Sequence, residues 1–128
     1  MSEPLKVIVV GATGKMGQTI AHQVHGDPSL ELFAAIDLDS TGRIGKDVGE
    51  LIGLNTGIKI SSDFESSLEV ADAVIDFTRP EASLKFIELC ARNNVAYVLG
   101  TTGFSDQEKI LITELSTKIP ICFSPNMS

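Results

Sequence analysis

Residues 11–17 read GATGKMG, directly after KVIVV, which is apolar from residue 7 onward. The spacing of Gly11, Gly14 and Gly17 is G-x-x-G-x-x-G, a variant of the dinucleotide-binding fingerprint. In such a turn the first glycine permits a tight connection from strand to helix, the second lets the backbone approach a pyrophosphate, and the third lets the helix pack closely. The start of the following helix offers free amide groups and a partial positive charge. This stretch therefore predicts a phosphate-binding turn between a strand and a helix.

The segments on either side of this turn have the patterns of strands and a helix. Residues 5–11 are mostly β-branched and apolar without alternation, which is typical of a parallel strand buried on both faces. Residues 15–25 carry apolar side chains at helical spacing, and Gly26 and Pro28 end that pattern. A second apolar run at 30–37 completes a strand, helix and strand of about 30 residues, the size of one right-handed crossover.

The rest of the chain repeats this alternation of apolar strands and amphipathic helices. Residues 39–57, rich in Gly, Ser, Thr and Asp, are predicted to form a loop with one helical turn. We expect further strands at 58–61, 73–77, 95–100 and 119–123, and further helices at 63–71, 79–94 and 105–118. The pattern predicts one α/β domain over residues 1–128, a doubly wound, Rossmann-like parallel sheet of about six strands in the order 3-2-1-4-5-6.

Individual side chains mark the ends and faces of the predicted helices. Asp63 is a candidate N-cap, and Ser105 and Glu108 have the spacing of a capping box. The predicted buried face of the last helix consists of Ile110, Leu111 and Leu115.

A carboxylate at the end of the second predicted strand completes the fingerprint. Asp37 lies about 20 residues after the glycine turn, where such an acid accepts hydrogen bonds from the adenosine ribose hydroxyls. A 2′-phosphate would meet the charge of Asp37, and the next residue is Leu38 rather than an arginine, so the local chemistry favours NAD(H) over NADP(H). NADP(H) stays open, because Lys15, Arg43 or Arg79 can swing in to neutralise that phosphate.

Polar turns follow three of the later strands, with the sequences DFTRPE (76–81), GTTGF (100–104) and SPNMS (124–128). The carboxyl ends of parallel strands face one crevice, where open α/β sheets bind their ligands. The residues that offer groups to a nicotinamide ribose and carboxamide there are Thr78, Thr101, Thr102 and Asn126. Threonine and glycine are also ordinary turn residues after a strand, which is the alternative for each of them.

The composition argues against several classes of protein. The net charge is −7 and the 10 Lys and Arg residues are scattered, so no basic stripe is present for a nucleic acid. No apolar run approaches the ~20 residues of a membrane span, and the N-terminus lacks the features of a signal peptide. We expect a cytoplasmic protein without membrane contact, in which Cys90 and Cys122 are reduced, buried thiols.

Two other kinds of site are disfavoured by the sequence. His22 and His25 lie on the first predicted helix without a third ligand, so no metal site is predicted. The GATG start also occurs in short-chain dehydrogenases, which need a tyrosine followed by a lysine one helical turn later. The chain has 1 tyrosine, Tyr97, and Thr101 occupies the position of that lysine, so this catalytic dyad is absent.

Taken together, GATGKMG, DFTRPE, GTTGF and SPNMS resemble the N-terminal part of the dihydrodipicolinate reductases, also called 4-hydroxy-tetrahydrodipicolinate reductases. The resemblance covers essentially the whole chain, and DFTRPE with GTTGF is far more specific than the glycine motif. It implies an oxidoreductase of lysine and diaminopimelate biosynthesis, in which hydride passes from NAD(P)H to a cyclic dicarboxylate.

The resemblance also implies roles for individual residues. The pyrophosphate would be held by consecutive residues of the glycine turn, namely Gly11, Ala12, Thr13, Gly14, Lys15 and Met16. Asp37 would bind the adenosine ribose, and Thr102 would also touch the substrate. The nicotinamide end would be bound by Gly100, Thr101 and Thr102, and covered by Ser124, Pro125, Asn126 and Met127.

By the resemblance, the groups that bind and protonate the substrate lie in a second domain of the family, and this chain has no residues that match them. By the resemblance, that domain carries a His-His pair, a nearby Lys and a Ser-Gly-Thr turn that bind and protonate the dicarboxylate. We therefore expect no catalytic residues in this chain, which binds the cofactor without catalysing, whereas the full-length enzyme would be a homotetramer. Many relatives have an arginine in place of Leu38, a departure that bears on NADP(H) use. The alternative is a freestanding NAD- or CoA-binding module with a sensing role.

Overall fold

Strands and helices alternate along the chain in the computed structural model, which describes residues 3–37, 42–53, 56–100 and 103–123. The strands are β1 (Leu5–Val10), β2 (Leu30–Ile36), β3 (Ile60–Ser61), β4 (Ala73–Asp76), β5 (Ala96–Leu99) and β6 (Ile121–Phe123). The helices are α1 (Lys15–Gly26), α2 (Phe64–Leu68), α3 (Pro80–Arg92) and α4 (Asp106–Leu115), and a 3₁₀ turn spans Val48–Ile52.

All six strands form one parallel sheet in the order β3-β2-β1-β4-β5-β6, which confirms the predicted order. β1 is central, because Val7 to Val10 are no more than 2% exposed. The strand order reverses between β1 and β4, since the chain adds β2 and β3 on one side of β1 and then crosses to the other. At such a reversal the loops after the two strands diverge and leave a crevice that accepts a ligand.

Apolar side chains cover both faces of this sheet. On one face, Val24 of α1 and Val48 of the 3₁₀ turn join the buried side chains of β1 and β2. On the other face, Phe64, Ile87 and Leu115 bring α2, α3 and α4 against the sheet. Burial on both faces explains why the strands are continuous apolar runs rather than alternating ones. Among the described helices none is long and apolar enough to cross a membrane.

Capping side chains begin the helices where the sequence predicts them. Asp63 accepts a hydrogen bond from the amide of Ser66 at the start of α2. At the start of α4 the amide of Ser105 donates to the Glu108 carboxylate at 2.7 Å, and the Ser105 hydroxyl oxygen accepts from the Glu108 amide at 3.2 Å. Pro80 occupies the first turn of α3, where its missing amide costs no hydrogen bond.

The buried face of α4 differs from the predicted one. Ile112 and Leu115 are buried, whereas Ile110 and Leu111 are 61% and 40% exposed. Three consecutive apolar residues fit more than one helical face, and packing against the rest of the core selects Ile112. The prediction was therefore right for Leu115 and wrong for Ile110 and Leu111.

The two cysteines, both free, also differ from each other. Cys90 is buried on the inner face of α3, and burial, with a smaller effect of the Asp76 charge, raises the pKa of its thiol to about 12. Cys122 is exposed on β6, the edge strand of the sheet. The prediction of a buried thiol was therefore wrong for Cys122.

The loop between β2 and β3 is organised by Asp47. The Asp47 carboxylate accepts hydrogen bonds from the Gly49 amide at 2.7 Å, from the Thr56 hydroxyl at 2.7 Å and from the Gly57 amide at 2.8 Å. Lys59 pairs with Asp47 of this loop in an isolated antiparallel backbone bridge. Strand β3 begins at Ile60, not at the predicted residue 58. The Thr56 hydroxyl hydrogen bond, with smaller effects of the amides, lowers the pKa of Asp47 to about 2.

We predict that this carboxylate makes the folded state sensitive to acid. A carboxyl whose pKa is lowered by folding stabilises the protein above its unfolded-state pKa, and that contribution is lost as the pH falls toward the folded-state value. The difference in unfolding free energy between the wild type and Asp47→Asn should therefore shrink between about pH 5 and about pH 2. Urea unfolding at each pH measures it, with the exposed Glu50→Gln as the matched control. A difference that stays constant over this range would contradict the assignment.

Candidate functional site

The glycine turn leaves the carboxyl end of β1 and is held against β2 by backbone hydrogen bonds. The amides of Gly11 and Ala12 donate to the carbonyl of Ile36 at 2.9 and 3.2 Å. Gly11 has a φ of 81°, in the left-handed region that favours glycine. The Gly14 amide donates to the Gly11 carbonyl at 3.1 Å and closes the turn directly before α1.

Helix α1 approaches this turn more closely than any side chain at Gly17 would allow. A β-carbon on Gly17 would lie 2.8 Å from the carbonyl carbon of Gly11 and 2.9 Å from Cα of Ala12, and closer still to the Gly11 carbonyl oxygen. These are backbone atoms of a hydrogen-bonded turn, so they cannot move aside without breaking it. Gly17 therefore has the packing role that the sequence predicts.

Gly14 has no comparable requirement within the protein. Its backbone is extended, with φ of −74° and ψ of 166°, a conformation open to any residue. A β-carbon there would meet the Gly11 carbonyl oxygen at 3.5 Å, an ordinary van der Waals contact. Packing therefore does not require glycine at this exposed N-cap position, and the missing side chain leaves the backbone open to an approaching ligand.

The first turn of α1 presents amide groups beside Gly14. No side chain caps this helix, and the Gln18 amide donates to the Gly14 carbonyl at 2.9 Å. The amides of Lys15 and Met16 precede this bond, so they have no partner within the helix. Because the helix dipole is positive at this end, the turn favours a negatively charged group.

Asp37, which follows β2, contacts the glycine turn directly. One carboxylate oxygen accepts hydrogen bonds from the Thr13 amide at 2.9 Å and from the Thr13 hydroxyl at 2.6 Å. The Asp37 amide donates to the carbonyl of Ser61 at 3.0 Å. The carboxylate is thereby fixed where β2 meets the glycine turn. The fingerprint predicts an acid here but not its bond to Thr13, which is a feature of this sequence.

A buried hydrogen-bond network lies under the turn between β4 and α3. Asp76 is 0% exposed and accepts hydrogen bonds from the Thr78 amide at 2.7 Å, the Thr78 hydroxyl at 2.6 Å and the hydroxyl of Tyr97. Burial, then the Asp76 charge and this hydrogen bond, raise the pKa of Tyr97 well above its ordinary value. Sequence reasoning missed Asp76, although a lone acid inside an apolar strand was the sign that it has buried partners.

Gly100, at the end of β5, accommodates the ring of Phe77. A β-carbon on Gly100 would lie 2.6 Å from Cδ1 of Phe77 and 2.9 Å from its Cζ. The Gly100 amide donates to the Asp76 carbonyl at 2.9 Å. The absence of a side chain at Gly100 is therefore explained by packing, and Gly100 also borders the cleft.

A cleft opens between the glycine turn and the turn after β4, and it has two parts with shared walls. The narrow cleft, of about 450 Å³, is lined by Gly11, Gly14, Lys15, Met16, Gly17, Phe77, Thr78, Arg79, Pro80 and Gly100. The wide cleft, of about 1140 Å³, extends past Asp37 to α2 and α3 and includes Phe64, Lys85, Phe86 and Leu89. Gly11, Gly14, Phe77, Thr78 and Arg79 line both parts, so the glycine turn lies at their junction.

The charges around the cleft are mixed in an otherwise acidic chain. Lys15 and Arg79 are exposed and line the narrow cleft, whereas the wide cleft has both acids, such as Asp37 and Asp63, and the cations Arg79 and Lys85. Arg43, the third cation that the sequence offers for a 2′-phosphate, is exposed in the loop after β2. Positive charge therefore lies beside the junction of the two clefts, and the wide cleft carries charges of both signs.

The structure brings together part of the predicted site. Gly11, Ala12, Thr13, Gly14 and Lys15 form the turn and the helix start, with Met16, Asp37 and Gly100 around the same cleft. The predicted residues Leu38, Thr101, Thr102, Ser124, Pro125, Asn126 and Met127 lie outside the described residues. Within the described ranges no group of three or more His, Cys, Asp or Glu side chains is placed to hold a metal ion.

Comparison with known proteins identifies relatives along nearly the whole chain. A 4-hydroxy-tetrahydrodipicolinate reductase of Chromobacterium violaceum is 43% identical over 122 residues, which cover 95% of this chain and 46% of that protein. The same enzyme of Laribacter hongkongensis is 39% identical over 124 residues, 97% of this chain and 46% of that protein. A dipicolinate-bound dihydrodipicolinate reductase from Paenisporosarcina sp. TG-14 superimposes with a TM-score of 0.76 at 28% identity, over 96% of this chain and 48% of that chain.

The strand order and the cleft beside the reversal point define a Rossmann-like α/β domain. The chain belongs to the family described as Dihydrodipicolinate reductase, N-terminus, whose model matches residues 5–127. This confirms the resemblance predicted from the sequence motifs. The chain spans about half the length of the curated relatives it matches.

We predict that the stability of the domain depends on the absence of a side chain at Gly17. Gly17→Ala should lower the free energy of unfolding by about 3 kcal/mol or more, because its β-carbon overlaps backbone atoms of the turn. Gly26→Ala is the matched control in the same helix, since a β-carbon there meets nothing within 4 Å. It should change the unfolding free energy by no more than about 1 kcal/mol. Urea unfolding measures both, and equal stability of the two variants would refute the packing role.

Proposed function

We propose that this chain is the dinucleotide-binding half of a 4-hydroxy-tetrahydrodipicolinate reductase, an oxidoreductase of lysine and diaminopimelate biosynthesis. The observation that carries the proposal is the junction of the two clefts, where the bare backbone of Gly14 adjoins the open first turn of α1. Membership of the reductase family supports the same ligand. The cofactor we assign to this cleft is NAD(H), with NADP(H) as the less favoured form.

The pyrophosphate of this cofactor fits the junction. The amides of Lys15 and Met16 and the helix dipole supply donors and positive potential for an anion. A ligand phosphate can approach the backbone at Gly14, because no β-carbon stands in the way. The ammonium of Lys15 and the guanidinium of Arg79 line the narrow cleft beside this position and add Coulomb attraction.

The adenosine half fits the wide cleft. Asp37 borders that part, and a carboxylate at the end of β2 accepts hydrogen bonds from both ribose hydroxyls. The Thr13 hydrogen bonds hold one oxygen of this carboxylate and so fix its orientation before the ligand arrives. Phe64, Phe86 and Leu89 line the same part and give the adenine an apolar wall.

The nicotinamide half is then directed into the narrow cleft, toward the carboxyl ends of β4 and β5. Nicotinamide supplies the hydride for the reduction of the substrate. Phe77, Thr78 and Gly100 form the wall that this chain offers to it. The roles of Thr101, Thr102, Ser124, Pro125, Asn126 and Met127 near this end, and of Thr102 at the substrate, stay predictions from the sequence.

The preference for NAD(H) rests on Asp37. A phosphate on the 2′-hydroxyl would place a second negative group beside this carboxylate, and like charges at that distance repel. Lys15 lines only the narrow cleft, whereas Arg79 lines both clefts and Lys85 lines the wide one, so the charge of Asp37 is the basis of the preference. We therefore infer that NADPH binds more weakly than NADH.

The substrate and the groups that protonate it belong to the second half of the proposed reductase. The reductases from Chromobacterium violaceum and Laribacter hongkongensis are each matched over 46% of their length. The dicarboxylate substrate, a homotetrameric assembly and a cytoplasmic location are proposals for that full-length enzyme. For these 128 residues alone we propose cofactor binding without turnover, because hydride transfer needs donor and acceptor held together.

We predict that Asp37→Ala changes the affinities for NADH and NADPH differently. NADH affinity should fall at least about tenfold, the equivalent of one lost hydrogen bond to a charged group, while NADPH affinity should hold or rise because the repulsion is removed. Isothermal titration calorimetry with each cofactor at moderate salt measures both. Glu31→Ala is the matched control, because it removes an exposed carboxylate from the other end of β2.

The outcomes of this titration are distinct. A folded wild-type chain that binds neither cofactor would contradict the proposed function. Equal loss of NADH and NADPH affinity in Asp37→Ala would instead show that Asp37 only maintains the turn through Thr13, and would remove the basis of the cofactor preference.

A further inference from the structure

Asp76 places a carboxylate inside the protein at the point where the strand order reverses. Asp76 is 0% exposed. Among the described residues, the buried polar or charged ones are Asp76 and Ser83. Burying a carboxylate is unfavourable unless hydrogen-bond donors surround it. The donors around Asp76 therefore indicate what it does at this position.

Those donors come from two elements that meet behind the cleft. Thr78 donates both its amide and its hydroxyl to one Asp76 oxygen, and Tyr97 of β5 donates its hydroxyl to the other. The Thr78 hydroxyl oxygen also lies 3.3 Å from the hydroxyl of Ser83 in α3. Hydrogen bonds to an ionised acceptor are the stronger kind, so this set fixes the turn before α3 tightly.

The orientation of Thr78 follows from these bonds. Its hydroxyl is directed inward to Asp76, although the sequence led us to expect that hydroxyl to be available to a nicotinamide ribose. Its methyl carbon instead lies over the glycine turn, 3.2 Å from where a β-carbon on Gly11 would be. Thr78 borders both the narrow and the wide cleft, so its position sets the wall where they meet.

We propose that Asp76 is a positioning residue of the dinucleotide site, which acts through Thr78 to hold the cleft wall opposite Gly11 at the distance that the nicotinamide half of the cofactor requires. Being fully buried, Asp76 does not touch the ligand itself. The hydroxyl of Tyr97 orients the second carboxylate oxygen of Asp76. This inference rests on the proposed function, because it takes NADH as the occupant of the cleft.

The test compares two ligands that differ at one end. NADH and ADP-ribose share the adenosine and the pyrophosphate, but ADP-ribose lacks the nicotinamide ring. Calorimetric titration of the 128-residue chain with each gives a ratio of affinities for every variant. Asp76→Ala should weaken NADH binding about tenfold, because the unanchored cleft wall must be ordered again when the nicotinamide half binds, and ADP-ribose binding by no more than about threefold.

Conservative variants separate positioning from stability. Asp76→Asn should restore most of the NADH affinity, because its amide oxygen still accepts from the Thr78 amide. Thr78→Val keeps the methyl group and removes the hydroxyl. It should therefore lower the ratio of NADH affinity to ADP-ribose affinity about threefold. If Asp76→Ala does not fold, the same ratio of affinities measured for Thr78→Val and Tyr97→Phe tests the proposal.

A stability-matched control lies outside the cleft. Ile112 is buried in the core on α4, so Ile112→Ala should lower the melting temperature and leave the ratio of affinities at the wild-type value. If Asp76→Ala or Thr78→Val weakens both ligands equally, in step with its melting temperature, Asp76 is only structural and the inference is overturned. A folded wild type that binds neither ligand would overturn the proposed function as well.

Discussion

The close contact between α1 and the glycine turn is the constraint on which the rest of the site depends. Gly17 leaves no room for a β-carbon against the backbone of Gly11 and Ala12, so the helix starts directly at the carboxyl end of β1. That position brings the open amides of its first turn to the crevice between β1 and β4. An anion bound there meets backbone donors that are fixed before it arrives, so little ordering free energy is lost on binding.

The opposite wall of the cleft is fixed by different means. There the turn after β4 is anchored by the buried Asp76 carboxylate rather than by close backbone packing, and Phe77 lies against the bare backbone of Gly100. The two walls meet at Gly11 and Thr78, where a methyl group faces a glycine. A long ligand that crosses this junction would therefore be held by rigid elements on both sides, although both walls consist of turns.

Much of this arrangement could be predicted from the sequence, because the information is local. The glycine spacing, the mostly apolar strand before it and Asp37 after β2 lie within one strand, helix and strand unit. The strand order followed from regular alternation. The Asp76 and Tyr97 pair could not be predicted in this way, since the two residues lie 21 positions apart and meet only through sheet pairing. The buried face of α4 was mistaken at Ile110 and Leu111 because the choice depends on tertiary packing.

The measurement that tests the central claim most directly is the NADH affinity of Gly14→Ala. The fold has room for a β-carbon at this position, so the variant should keep its unfolding free energy within about 1 kcal/mol of the wild type. The same β-carbon would project where the pyrophosphate approaches the backbone, so NADH affinity should fall at least about tenfold. A stable Gly14→Ala variant that binds NADH as tightly as the wild type would contradict the assignment of the glycine turn as the pyrophosphate site.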